Sequence, residues 1–109
     1  MFSIRLRPQD LSLEPIAMDV FSFQEVLDYV KNNARDILEV SLMKDTETII
    51  DFKVVYFDRI NKWNLFYAGK NYMLPELDIN IFMQILSSTL DENQKSELDS
   101  LNELSSSYS

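Results

Sequence analysis

Two close carboxylate pairs stand out in a chain that has neither histidine nor cysteine: Asp45 with Glu47, and Glu76 with Asp78. Paired carboxylates can act as acid and base in glycoside hydrolysis or as oxygen ligands for a hard cation. Both pairs also stand where acids are favoured for structural reasons. Residues 44–47 form a polar break suited to a turn. Glu76 and Asp78 follow Pro75 at a helix start, where the helix dipole favours negative charge. Patterns with stronger chemistry are missing: there is no Ser-His-Asp set, no HExxH, no paired CxxC and no Walker loop. Without histidine the chain lacks the commonest general base and metal ligand. Without cysteine it lacks disulfides, thiol catalysis and most structural zinc sites. The expectation is a protein that is not an enzyme and holds neither metal nor cofactor.

A second group of acids lies beyond residue 90. Asp91, Glu92, Glu97, Asp99 and Glu103 stand against a single Lys95. Five acids less one lysine give −4, half of the whole chain's −8. On a helix, Glu92, Asp99 and Glu103 share one side, with ~6 Å of rise between the last two. Carboxylates spaced like phosphates attract a basic channel and exclude its substrate. In size and charge the chain resembles the small acidic proteins with which viruses and mobile elements counter host restriction, repair or CRISPR nucleases. That resemblance implies an inhibitor bound to the basic nucleic-acid site of a host enzyme, a nucleic-acid mimic being one form of it. The structural alternative is an acidic tail that only keeps the protein in solution. The same charge opposes direct binding to nucleic acid or an anionic membrane.

Residues 37–74 supply the element that must position everything else. Their apolar residues recur at period two, the signature of half-buried strands. Leu38, Val40 and Leu42 share a face opposite Glu39, Ser41 and Met43; Ile50, Phe52, Val54 and Tyr56 share one opposite Asp51, Lys53, Val55 and Phe57. After a connection over residues 58–62, Trp63, Leu65 and Tyr67 form the core side of a third strand, opposite Asn64, Phe66 and Ala68. The lone glycine, Gly69, opens a two-residue turn with Lys70, and glycine in that first central place favours type II′. The N-terminus alternates in the same way. Phe2, Ile4 and Leu6 oppose Ser3, Arg5 and Arg7 in an edge strand ended by Pro8, and residues 16–21 can pair back against it.

Residues 22–33 predict a helix. Ser22 and Glu25 form a capping box, and Phe23, Val26, Leu27 and Val30 make one apolar stripe. Asn32 or Asn33 is placed to end it in a left-handed turn. A second helix follows Pro75, with Leu77, Ile81, Phe82, Ile85 and Leu86 as its broad apolar face. Asp91 with Gln94 caps a marginal third, whose apolar residues are Leu98, Leu101 and Leu104. Helix, three strands, helix over residues 22–88 resembles the element order of a double-stranded RNA-binding domain. Such domains contact phosphates through a basic second helix, and residues 78–86 contain no lysine or arginine.

The 109 residues are expected to form one domain burying roughly 65% of its unfolded surface. The fold class is α+β: an antiparallel sheet of three to five strands with two main helices on one face. Residues 1–89 make the domain, and residues 90–109 an acidic segment, partly helical with a frayed end. No apolar run approaches the ~20 residues of a membrane span and no signal-peptide pattern opens the sequence, so a cytoplasmic, intracellular protein is expected. The alternative to charge-led inhibition is an immunity, chaperone-like or assembly-subunit protein, monomeric or homodimeric. It would bind its partner through Phe57, Phe66, Val55 and Met43 on the sheet face opposite the core.

Overall fold

The computed structural model describes residues 1–9, 14–34 and 37–107, with side chains up to residue 102. Among the described residues the chain forms six strands and three helices. In order these are β1 (Phe2–Pro8), β2 (Ile16–Asp19), α1 (Phe23–Asn33), β3 (Leu38–Lys44), β4 (Glu47–Phe57), β5 (Lys62–Tyr67), β6 (Lys70–Leu74), α2 (Ile79–Ser87) and α3 (Glu92–Ser107). The strands make one sheet in the order β2-β1-β3-β4-β5-β6, antiparallel throughout. That is one strand beyond the expected five. β2 takes the edge beside residues 3–6 of β1, so Arg5 lies between two strands, whereas Arg7 is paired on the β3 side alone. Four strands separate α1 from α2, so the order expected from double-stranded RNA-binding domains is not kept.

All three helices lie on the same face. Phe23, Val26, Leu27 and Val30 of α1 join Phe82 and Leu86 of α2, Leu98 and Leu101 of α3, and the inward residues of the sheet in one core. Register explains the sheet's share: Leu6, Val40 and Phe52 are cross-strand neighbours, as are Leu38, Val54 and Leu65. Period two then puts Arg7, Glu39 and Lys53 on the opposite side.

Local chemistry sets the helix starts. The Glu25 amide donates to Ser22 Oγ at 3.1 Å, and Glu25 Oε2 accepts from the Phe21 amide at 3.1 Å. Asp78 caps α2 through the Ile81 amide. The Asp91–Gln94 box is reciprocal, at 2.8 and 3.0 Å. α3 therefore has a full cap and two residues, Leu98 and Leu101, deep in the core. Its side chains from Glu103 on, Leu104 included, lie outside the described residues, while the end expected to fray from Ser105 is helical as far as Ser107.

Two local expectations change, and the register adds a bulge. α1 runs through Asn33 and ends at Ala34, whose φ of −83° is not left-handed. The β5–β6 turn is centred on Ala68 and Gly69, with φ of 53° and 76°, one residue earlier than expected. Positive φ at both central residues belongs to a type I′ turn, whose twist matches the flanking strands. A β-bulge between Leu42 and Met43 shifts the pairing with β4, so Met43 faces Thr48 and Ile49 is the extra residue.

Candidate interaction surface

Of the four acids placed to do chemistry, Asp45 and Asp78 serve a turn and a helix cap, and Glu47 and Glu76 are exposed. Asp45 occupies the tight β3–β4 turn at φ 54°, and its Oδ1 accepts from the Met1 ammonium at 3.0 Å. That hydrogen bond and the ammonium's charge hold the Asp45 carboxyl below the usual range. Asp78 is a helix cap. Among the described residues no three carboxylates gather where they could hold a metal ion.

The acidic segment is divided by the fold. Asp91, Glu92 and Asp99 are exposed. Glu97 instead turns to the sheet and meets Lys44 Nζ at 2.8 Å. The hydrogen bond to Glu97, with the carboxylate's charge behind it, raises the lysine pKa. The same ammonium lies 5.7 Å from the Phe2 ring centroid. Lys95 and Asp99 line the same hollow between α2 and α3, so a cation interrupts the row that Glu92 and Asp99 share.

Two long-range side-chain contacts that the sequence did not announce dock α3. Gln94 Nε2 donates to the Ile49 carbonyl at 2.7 Å. A bulge residue is left out of the regular ladder, and this amide supplies the missing donor. Asn102 Oδ1 accepts from the Phe23 amide at the start of α1, at 3.4 Å. The capping box gave a signal for Gln94's cap role, but neither long-range contact has a local signature.

The sheet face away from the helices is covered by none of the described elements. Phe57 is 40% and Met73 51% exposed on it, and Phe66 and Val55 are half-buried. Met43, expected in the same patch, is only 8% exposed, closed over by its neighbours. The register sets these residues in rows. One row runs Arg7, Glu39, Lys53, Phe66, Asn71 across five strands; the next holds Val55, Asn64 and Met73. Arg7 pairs with Glu39 at 2.9 Å, both partly exposed, so the row begins with alternating charge. Two shallow hollows, of about 420 and 390 Å³, flank Lys53 and Phe66. The first extends to the Ala68–Gly69 turn, the second to Arg7, Pro8 and Ile37.

No described helix is long and apolar enough to cross a membrane. Compared with known proteins, the chain matches no family model, no curated protein and no solved structure.

Proposed function

We propose that this chain is a non-enzymatic interaction protein that binds a protein partner through the open face of its sheet. The observation that carries this reading is the one-sided coverage. Three helices share one face, and on the other Phe57, Phe66, Val55 and Met73 stand beside charged Arg7, Glu39 and Lys53. Exposed apolar side chains grouped beside charged ones are the make-up of a protein interface. The compartment we propose is the cytoplasm, in keeping with a cysteine-free composition.

Affinity capture from a host-cell lysate at low and high salt tests the reading. A partner held by this face survives high salt, is lost with Phe66→Asp, and is kept when Glu92 and Asp99 are changed to Gln and Asn. A thermal melt of Phe66→Asp separates lost binding from lost folding. Capture that does not depend on Phe66 in a folded variant overturns the proposal.

A second reading has its own observation, the exposure of Asp91, Glu92 and Asp99 on and beside α3. There the protein inhibits a host nuclease or similar enzyme by occupying its basic nucleic-acid site. Charge steering acts chiefly on association rate and is screened over ~8 Å at physiological salt. The Glu92→Gln, Asp99→Asn variant then associates more slowly with a flatter salt dependence, while Phe66→Asp has no effect. The ion pair that occupies Glu97 and the placement of Lys95 weaken this reading.

A further inference from the structure

The open face has a charge pattern that bears on what covers it. In a chain of net −8, this face carries Arg5, Arg7, Lys53 and Lys62 against Asp19, Glu39 and Asp51. It is close to neutral, with the acidic excess elsewhere. A surface built to meet a strongly basic partner would be acidic, and this one is not. Its charges instead alternate strand by strand along the central row, Arg7 on β1, Glu39 on β3, Lys53 on β4.

We propose that the covering partner is a second copy of this chain, packed face to face about a two-fold axis running along the strands between β3 and β4. The inference rests on the open-face reading above and names its partner. Such an axis exchanges β3 with β4 and β1 with β5 and keeps each residue in its row. Glu39 of one copy then meets Lys53 of the other, and the pair occurs twice, as an isologous contact requires. Arg7 of one copy comes over Phe66 of the other, a cation on an aromatic ring. The hollow of about 390 Å³ beside Arg7, Pro8 and Ile37 lies where the second copy's Phe66 arrives. Val55, one row along, meets Ile37. A two-fold placed across the strands would set Arg7 against Arg7, so the charges choose between the two axes.

Size and geometry agree. Six strands give five spacings of about 4.8 Å, and about 20 Å along them makes a footprint of roughly 500 Å² before side-chain relief is added. Stable interfaces begin at about 600 Å² of accessible surface per partner. Antiparallel sheets stack with their strands about 30° apart, which a two-fold along the mean strand direction permits. The exposed acids of α3 lie on the far side of each sheet, so the repulsion between two −8 chains acts across the thickness of both copies.

Sedimentation equilibrium of the full chain, from micromolar to near-millimolar concentration, tests this with charge exchange. The wild type is expected to be a dimer. Glu39→Lys places lysine against Lys53 twice, and Lys53→Glu places glutamate against Glu39 twice, so each variant alone loses at least about tenfold in self-association. An equimolar mixture of the two restores both opposite pairs between the copies and forms a heterodimer. Both positions are at least partly exposed, and far-UV circular dichroism checks that each variant is folded. A wild type that stays monomeric overturns the second-copy inference but leaves the open-face reading to the Phe66→Asp capture. A dimer that ignores both exchanges, or single variants that the mixture fails to rescue, places the contact elsewhere and overturns the inference equally.

Discussion

The ring of Phe52 in β4 meets the ring of Phe82 in α2 edge to face, with centroids 5.5 Å apart. Phe23 of α1 completes the cluster, 6.1 Å from Phe82. Sheet and two helices thus converge on three rings, and tilted aromatic contacts of this kind add to simple burial. Phe52→Ala should therefore cost about 3–5 kcal/mol in chemical denaturation, the usual range for truncating a buried aromatic. A loss under ~1 kcal/mol would show that the helices do not depend on this contact.

The Gln94 side chain has two duties, capping α3 through the Asp91 amide and satisfying the Ile49 carbonyl in the bulge. Gln94→Ala removes both and leaves a part-buried backbone acceptor without this donor. The expected loss is about 1–3 kcal/mol, measured by urea unfolding. Gln94→Glu is the sharper comparison. It can keep the cap but offers an acceptor to an acceptor at Ile49, so it should lie near the alanine variant and well below wild type. Equal stability of Gln94→Glu and wild type would remove the bulge contact from the account.

Ala68 sits at φ 53°, a left-handed conformation that a β-carbon disfavours by about 1–2 kcal/mol. Ala68→Asn creates Asn-Gly, the preferred pair for a type I′ turn. The variant should gain about 0.5–1 kcal/mol, read as a higher denaturation midpoint. A loss of stability would contradict the type I′ geometry and favour the turn centred one residue later.

The Lys44–Glu97 pair predicts an alkaline dependence. The folded lysine pKa is raised above its ordinary value by Glu97. In this direction the folded state holds the proton more tightly, so the contribution is fully present below the ordinary lysine value and is lost as pH rises through the folded one. The stability difference between wild type and Glu97→Gln should therefore stay level from neutral pH to about pH 9. It should then shrink above about pH 10.5, where lysine titrates. A difference that grows with pH would reverse the assignment. Because Lys44 is exposed, the effect should be small and should weaken with added salt.

Much of the architecture follows from local pattern alone. Period-two alternation identified β1, β3, β4 and β5 and which side of each faces inward, because a strand with one buried face must alternate. Ser22 with Glu25 and Asp91 with Gln94 marked two helix starts, because orphan amides at a helix start need acceptors within a few residues. The apolar stripes of α1 and α2 required a covering partner, and the sheet's one strongly apolar face supplied it.

Other features depend on residues distant in sequence. Whether Phe57 and Phe66 face water depends on where three helices land, and alternation reports that a face exists without reporting what covers it. Glu97 looked like its acidic neighbours until the fold brought Lys44, 53 residues earlier, to 2.8 Å from it. The bulge at Leu42 and Met43 and the Ala68–Gly69 turn are set by cross-strand register and twist, which couple strands and not neighbouring residues. The sequence by itself determined which residues are apolar, which alternate and which can cap. The tertiary structure decided which acids remain free and which face of the sheet stays open, because both depend on contacts between residues that the chain brings together only by folding.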